Sequence, residues 1–252
     1  MTAAGRPLTR KQVIRVLAAK AKEPGPAGKT IKENLQLIRG CKLWDEKRRC
    51  HSPLCPDCLR LDFAEPVHVA LTREFGNRPL AELRRVRLRV PGRVPGDQRM
   101  SRCLINLAPA ISALTGTGTA FRNTVLSFGG VVHLIWRTAT RKRQAGFTVE
   151  VCFICRVDAE IDGESMQDHF KRLLVQKRVA DPSPSESGHL VVIRRVKDLP
   201  KVIERISRLA EPLPHNLDEI PAATIDEVFG HPRELFRLYG RRTLRGHAKD
   251  RG

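Results

Sequence analysis

Four cysteines fall within eighteen residues of this chain, and this spacing constrains the local fold more than any other feature. A Cys-x-x-Cys turn supplies two zinc ligands from one tight loop, and two further thiolates nearby complete a tetrahedral site. Free thiols on a loop are the alternative, but cysteines this close in an intracellular chain have few other uses. The pattern predicts a structural zinc ion held by Cys41, Cys50, Cys55 and Cys58, with His51 as a spare donor.

Composition and hydropathy narrow the class of protein. Of the 252 residues, 41% are hydrophobic, which is enough to build a core. No segment has the run of eighteen apolar residues that a membrane span needs, and residues 1–22 lack the apolar stretch of a secretory signal. We therefore expect a soluble, cytoplasmic protein with no membrane partner. In that compartment its seven cysteines are thiols or metal ligands rather than disulfides.

Hydrophobic periodicity predicts a mixture of helices and strands. The predicted strands are 66–72, 131–136, 147–157 and 189–196. The predicted helices are 10–22, 103–114, 164–177, 199–209, 224–229 and 232–239, and a helical pattern also begins at Leu80. The polar tip 137–146 between two strands indicates an antiparallel hairpin. The order of elements predicts an α+β fold, with a mostly antiparallel central sheet flanked by helices and an N-terminal zinc knuckle.

Changes in composition divide the chain into four segments. A capping box at Thr9 and Gln12 opens a basic helix, and a linker rich in Pro and Gly follows at 23–29, so the first segment is 1–29. The Cys-rich zinc knuckle then occupies 30–62, an α+β domain occupies 63–246, and a basic tail occupies 247–252.

The chain is strongly basic, with 46 lysines and arginines against 27 acidic residues and a formal charge of +19. This excess favours an anionic partner through long-range attraction and counter-ion release. A solvated face accounts for one basic run, but three runs with few intervening acids favour phosphate binding. Aromatic residues are scarce at 5%, which argues against a platform of stacked bases. The candidate nucleic-acid-binding residues are Arg84, Arg85, Arg87, Arg89, Arg93, Arg99, Arg141, Lys142, Arg143, Arg241, Arg242 and Arg245.

Three conspicuous residues are expected to serve the structure rather than a binding site. We expect Trp44 to pack beside the zinc knuckle and Trp136 to end a core strand. We expect Cys155 to be a buried core cysteine, because residues three apart on a strand point to opposite faces and Cys152 and Cys155 therefore do not share a metal.

Seven segments follow one another in an order that is typical of one protein family. They are the Cys-rich segment 41–58, HVALT at 68–72, GVVHLIWRT at 130–138, GFTVEVCFI at 146–154, VVIRRVKD at 191–198, KVIERISRL at 201–209 and LYGRRTLRG at 238–246. In order and spacing they resemble the rolling-circle plasmid replication initiators, the Rep proteins of the HUH endonuclease superfamily. The resemblance spans about residues 35–246 and implies that 63–246 is a Rep-like domain whose partner is DNA.

The catalytic residues of that family are missing from the matching positions. The family binds a divalent ion with a His-hydrophobic-His triplet, where this chain has Glu150, Val151 and Cys152. The family's nucleophilic tyrosine lies on a helix that matches 201–209, and this segment contains no tyrosine. The one tyrosine of the chain, Tyr239, belongs to the tail motif, where we expect it to pack its helix. The resemblance therefore implies a degenerate member whose nicking activity is lost.

Three hypotheses about function follow. The first is a zinc-stabilised DNA-binding protein that acts in the replication or control of a plasmid, phage or integrative element. The second is an active nicking-joining endonuclease in which Glu150, Cys152 and His133 hold a second divalent ion, and a hydroxyl such as that of Ser207 replaces tyrosine. The third is an RNA-binding or ribosome-associated zinc protein. We favour the first hypothesis, because the second needs several coincidences together.

Overall fold

The computed structural model places the described parts of the chain in an α+β fold. The described residues are 8–93, 125–139, 141, 145–157, 168, 190–210, 213, 216–229 and 237–241. Their helices are α1 (Arg10–Lys20), α2 (Pro26–Gly40), α3 (Pro56–Leu59), α4 (Glu65–Phe75), α5 (Leu199–Leu209) and α6 (Ala222–Phe229). Their strands are β1 (Leu83–Arg93), β2 (Val125–Arg137), β3 (Gly146–Val157), β4 (Leu190–Arg195) and β5 (Arg237–Arg241). Among the described residues, no helix is both long and apolar enough to cross a membrane.

The five strands form one sheet in the order β4-β1-β3-β2-β5. Every neighbouring pair is antiparallel. Strands β2 and β3 form the hairpin expected from the sequence, and their pairing runs from Val125 opposite Val157 to Arg137 opposite Gly146. The order β4-β1-β3-β2 is that of the split βαβ arrangement, which β5 extends beyond β2. The predicted α+β class with an antiparallel sheet is confirmed.

Strand β3 lies in the middle of the sheet and is buried on both faces. Val151 and Phe153 point to one face, where the Phe153 ring meets the Phe128 ring of β2 edge-on with centroids 6.1 Å apart. Glu150 and Cys152 point to the other face, because side chains alternate along a strand, and they are buried too. The polar groups of that second face are therefore desolvated, which raises the cost of leaving them unpaired.

Helix α1 begins with the capping box expected from the sequence. Gln12 N donates to Thr9 Oγ1 at 3.3 Å, and Thr9 N donates to Gln12 Oε1 at 2.8 Å. The helix packs on α2, and α2 also contacts α6. Because α1 ends at Lys20 and α2 begins at Pro26, much of the predicted linker 23–29 belongs to the start of a helix.

The strand predicted at 66–72 is wrong, because these residues belong to helix α4. The buried side chains of α4 are Val67, Leu71 and Phe75, which recur at every fourth residue. That helical period extends beyond the short window in which PVHVALT alternates like a strand. Pro66 is the second residue of α4, which directly follows the π-helical turn Arg60–Ala64, so its missing N–H falls where the helical hydrogen-bond pattern changes.

The helical pattern predicted from Leu80 is also wrong beyond its first turn. Leu80–Glu82 forms a 3-10 turn, and the chain then continues as strand β1. Residues 85–90 alternate arginine with an aliphatic side chain, so that Val86 and Leu88 are buried on one face.

Two further differences concern the second half of the chain. The helix predicted at 232–239 is wrong where the structure describes it, because strand β5 begins at Arg237 and pairs with β2. The helices predicted at 103–114 and 164–177 lie outside the described residues, apart from Asp168.

Gly130 marks a close approach between β2 and β3. It pairs with Phe153, and a Cβ at this position would meet the backbone oxygen of Cys152 and the side chain of Phe153. We expect Gly130→Ala to lower the free energy of unfolding by about 1–3 kcal/mol in urea denaturation. Gly40→Ala is the matched control, because a methyl group there meets open space. Equal stability of the two variants would contradict this packing.

Candidate functional site

The four cysteines of the knuckle converge on one point. Cys41 caps the end of α2, Cys55 precedes α3, and Cys58 lies within α3. Cys50 follows a 3-10 turn at Glu46–Arg48. The four sulfur atoms all lie within 4.8 Å of one another. Cys58 Sγ is 3.6 Å from Cys41 Sγ and 3.6 Å from Cys50 Sγ.

These distances fit a shared metal ion. Sulfur ligands about 2.3 Å from a tetrahedral zinc ion lie about 3.8 Å apart, whereas a disulfide brings two sulfurs to about 2.05 Å. Three of the thiols are buried and Cys50 is half-buried, as expected for a closed structural site. These four residues, here called the metal-binding group, lie close enough together to hold one ion, as predicted. Zinc is the ion that we propose for them.

The thiols of the knuckle hold their protons unequally. A hydrogen bond with the Cys50 thiol lowers the pKa of Cys55 to about 5, and the backbone N–H groups of Cys58 and Asp57 act in the same direction. The same bond raises the pKa of Cys50, and burial raises the pKa of Cys58 to about 12. One thiolate therefore forms readily, and a divalent cation would supply the charge that deprotonates its neighbours.

Hydrogen bonds outside the cluster hold the knuckle against the helices. Ser52 Oγ donates to Asn34 Oδ1 of α2 at 2.7 Å and accepts from Leu54 N at 3.2 Å. His51 adopts a left-handed backbone with φ 47°, and its Nδ1 lies 2.8 Å from Asp62 Oδ2. His51, which the sequence offered as a spare metal ligand, therefore pairs with Asp62 beside the knuckle. The metal-binding group consists of the four cysteine sulfurs.

A second polar cluster lies on the sheet and contains Glu150, Cys152 and His133, the candidates for a second metal site. The register sets Glu150 of β3 between Arg89 of β1 and His133 of β2. Cys152 lies two residues along β3, opposite Arg87 of β1. Glu150 and Cys152 are buried and His133 is half-buried.

Arg87 supplies a cation to this cluster. Its Nη2 donates to Glu150 Oε2 at 2.6 Å, and the Glu150 side chain is only 5% exposed. This hydrogen bond raises the pKa of Arg87. Cys152 Sγ donates to Glu150 Oε1 at 3.6 Å, because burial raises the pKa of this thiol to about 12 and it keeps its proton. Both oxygens of the carboxylate are therefore engaged by neighbouring side chains.

Glu150, Cys152 and His133 do not form a metal-binding group. Within the described residues, only the four knuckle cysteines bring three or more His, Cys, Asp or Glu ligand atoms close enough to share an ion. Glu150 carries the one carboxylate among the three candidates, and a guanidinium already neutralises it. This geometry is that of a structural ion pair and not of a binding site for a hard divalent cation.

A group of arginines, here called the arginine cluster, extends along the same face of the sheet. It consists of Arg85 of β1, Arg194 of β4 directly opposite, and Arg205 of α5. Burial lowers the pKa of Arg85, and the like charges of Arg205, Arg87 and Arg194 lower it further. No carboxylate in the described part of the chain pairs with any member of the cluster. Facing like charges destabilise a sheet, so this cluster favours an external anion.

The other basic candidates have different settings. Arg84 points to the opposite face, where it is buried and donates to the carbonyl oxygens of Ala81 and Leu83 at 2.6 and 3.2 Å. Arg141 is exposed. The backbones of three others lie in strands, namely Arg89, Arg93 and Arg241. The remaining candidates, which are Arg99, Lys142, Arg143, Arg242 and Arg245, lie outside the described residues.

Ser207 and Tyr239, the two hydroxyl residues weighed in the sequence, have different settings. Ser207 is buried in α5, and its Oγ donates to the carbonyl oxygen of Ile203 at 2.9 Å. Tyr239 lies on strand β5, where its backbone pairs with Gly129 of β2. The expectation that Tyr239 packs a helix is therefore wrong, because its segment extends the sheet.

Arg194 and Arg205 were not identified as site residues from the sequence, and Trp44 was placed wrongly. Arg194 and Arg205 join Arg85 through strand pairing and helix placement, which no local pattern reveals. Trp136 is buried as expected. Trp44 is 85% exposed, so the expectation that it packs beside the knuckle is wrong. The sequence did contain one sign of this exposure, because Trp44 lies among polar and basic residues between Cys41 and Cys50.

Comparison with known proteins adds no relative. No family model, no curated protein and no solved structure matches this chain.

Proposed function

We propose that this chain is a zinc-stabilised DNA-binding protein that binds phosphates without cutting the strand. On this proposal it is a degenerate relative of the rolling-circle replication initiators and acts in the replication or control of a plasmid, phage or integrative element. The knuckle cysteines hold zinc, and the sheet presents arginines to the nucleic acid. The observation that carries the proposal is the arginine cluster: Arg85 and Arg194 are cross-strand partners, and the charge of Arg205 acts on Arg85. None of the three pairs with a carboxylate among the described residues.

Arginine suits this role for physical reasons. A guanidinium presents a planar fork of donors that matches two phosphate oxygens, and it stays charged even when it is half-buried. Arg85 is half-buried while Arg194 and Arg205 are exposed, so the cluster is open to a ligand from one side. The formal charge of +19 attracts a polyanion over long distances and gains from counter-ion release on binding.

The pairing of Arg87 with Glu150 supports the loss of cutting. Divalent ions that polarise a phosphodiester require carboxylate or imidazole ligands with free lone pairs. Here both Glu150 oxygens accept hydrogen bonds, one from Arg87 and one from Cys152. Ser207 donates its hydroxyl to the backbone of its own helix, which also weakens the case for a substitute nucleophile.

Neutralising the arginine cluster tests the proposal. We expect Arg85→Gln with Arg194→Gln to weaken binding to duplex DNA about tenfold at moderate salt, and to reduce the slope of log K against log[salt] by about 2. Fluorescence anisotropy of a labelled duplex over a series of salt concentrations gives both values. The matched control is Arg208→Gln, because Arg208 is exposed on α5 and pairs with Glu204. A double variant with the wild-type slope would contradict the proposed surface.

Competition separates DNA from RNA as the partner. The preference for DNA rests on the resemblance to replication initiators, since charge alone attracts both polymers. Duplex DNA, single-stranded DNA and structured RNA compete for the protein at matched salt. We expect one of the DNA forms to displace the label at the lowest concentration, and a clear preference for RNA would sink the DNA assignment.

A further inference from the structure

Trp44 is the most exposed large apolar side chain among the described residues, at 85% of its surface. Indole rings are large and usually well buried, with their N–H directed to a partner. The second tryptophan of the chain, Trp136, follows that rule and is 5% exposed. A ring this exposed contributes little to packing, so its apolar face and its N–H are both accessible to a ligand.

The loop that carries Trp44 has a fixed conformation. Lys42 N donates to Arg48 O at 3.1 Å, Asp45 N donates to Lys42 O at 3.3 Å, and Arg48 N donates to Asp45 O at 2.9 Å. Asp45 Oδ1 accepts from Lys47 N at 3.1 Å. The loop is closed at its two ends by Cys41 and Cys50, which both belong to the metal-binding group.

A side-chain hydrogen bond also spans the loop. Arg49 Nε donates to Leu43 O at 3.2 Å, directly before the tryptophan. Because the backbone around Trp44 is ordered before any ligand arrives, binding through the ring would cost little conformational entropy. The loop therefore presents the indole from a backbone that its own hydrogen bonds hold.

The surroundings of the ring are polar and mainly basic. Residues 42–49 contain four basic and two acidic side chains. Lys42, Lys47 and Arg48 are all exposed, and Arg48 stays 62% exposed while it pairs with Asp45. An isolated aromatic face among cations offers one stacking contact and several phosphate contacts, which is the combination that single-stranded nucleic acids use. A membrane surface is disfavoured, because membrane binding scales with buried apolar area and residues 42–49 contain only two apolar side chains, Leu43 and Trp44.

We propose that Trp44 stacks on an unpaired base of a nucleic acid while Lys42, Lys47 and Arg48 contact the phosphates beside it. This inference rests on the proposed function, and it adds a preference for single-stranded or locally opened DNA. It also gives the knuckle a role beyond stability, because the metal-binding cysteines fix the two ends of the loop that presents the ring. One ring reads no sequence by hydrogen bonding, so the contact tolerates any base.

Tryptophan fluorescence tests the contact directly. Because Trp136 is buried, quenching of the emission by iodide reports mainly on Trp44. We expect a short oligothymidylate to quench the emission and to protect the ring from iodide. We expect Trp44→Ala to weaken binding of that oligonucleotide about tenfold or more, to leave duplex binding within about twofold, and to leave the zinc content unchanged. Trp44→Phe retains most of the affinity, because it keeps an aromatic face.

Leu37→Ala is the matched control, because Leu37 is an exposed apolar residue of α2 and lies outside the loop. An oligonucleotide affinity of Trp44→Ala equal to that of the wild type would overturn the inference while leaving the proposed function intact. Quenching by anionic vesicles but not by the oligonucleotide would overturn it in favour of a membrane surface. A wild-type protein that binds neither duplex nor single strand would overturn this inference together with the proposed function.

Discussion

Replacing Cys58 by serine is expected to release the metal from the knuckle and to lower the free energy of unfolding by several kcal/mol. Cys58 Sγ lies 3.6 Å from both Cys41 Sγ and Cys50 Sγ, so its loss opens the centre of the group. The binding free energy of a structural zinc ion is also folding free energy, because the site does not exist in the unfolded chain. Elemental analysis of the purified variant and urea denaturation measure the two effects.

The wild-type protein is expected to carry one zinc ion per chain, and a chelator is expected to destabilise it about as much as Cys58→Ser does. Cys155→Ala is the matched control. Cys155 is fully buried in β3, but it lies outside the metal-binding group, so this variant keeps its metal and loses only packing energy. A wild-type protein without bound metal, or a Cys58→Ser variant with full metal content, would contradict the zinc assignment.

Glu150→Gln is expected to lower the free energy of unfolding by about 3 kcal/mol. Glu150 is 5% exposed and Arg87 is 24% exposed, so the substitution leaves a largely desolvated guanidinium without its counter-charge. Arg87 Nε is buried and has no hydrogen-bond partner among the described residues, which leaves this guanidinium dependent on Glu150. Removing one partner of a buried pair costs more than the pair contributes, because the remaining charge stays in a low dielectric.

A double-mutant cycle shows whether the two side chains act as a pair. We expect Arg87→Met with Glu150→Met to be more stable than Glu150→Gln alone, because apolar side chains of similar length replace both charges at once. The coupling free energy follows from equilibrium denaturation of Arg87→Met, Glu150→Met and the double variant that combines them. If Glu150→Gln stays within about 0.5 kcal/mol of the wild type, the carboxylate is not a structural partner of Arg87. The Glu150 carboxylate would then be available to a metal ion.

Local features of the sequence were enough to predict the knuckle, the central hairpin and helix α5. A Cys-x-x-Cys turn and two nearby cysteines fix ligand geometry within eighteen residues, so no long-range information is needed. The strands of the hairpin are neighbours in the chain, and α5 spans Leu199–Leu209 as its apolar period indicates. The strand prediction for 66–72 was wrong, because a short apolar run fits both a strand and a helix until the next turn is included.

The polar clusters of the sheet depend on pairings that no local pattern contains. Arg87 and Glu150 are 63 residues apart and meet only because β1 lies beside β3 in one register. A shift of one residue would have moved every arginine of β1 to the opposite face. Arg194 reaches Arg85 through β4, which the order of strands in the chain does not place beside β1. The prediction that Trp44 is packed was wrong for another reason, since tryptophan is usually buried.

A gel assay on supercoiled plasmid tests binding without cutting most directly. The protein is incubated at low salt with plasmid and Mn²⁺, and each sample is run both untreated and after removal of the protein with detergent. The account predicts that the untreated plasmid migrates more slowly and that the stripped plasmid is still fully supercoiled. Nicked circles carrying covalently attached protein, and lost on Glu150→Gln or Tyr239→Phe, would contradict it, and so would unchanged migration of the untreated plasmid.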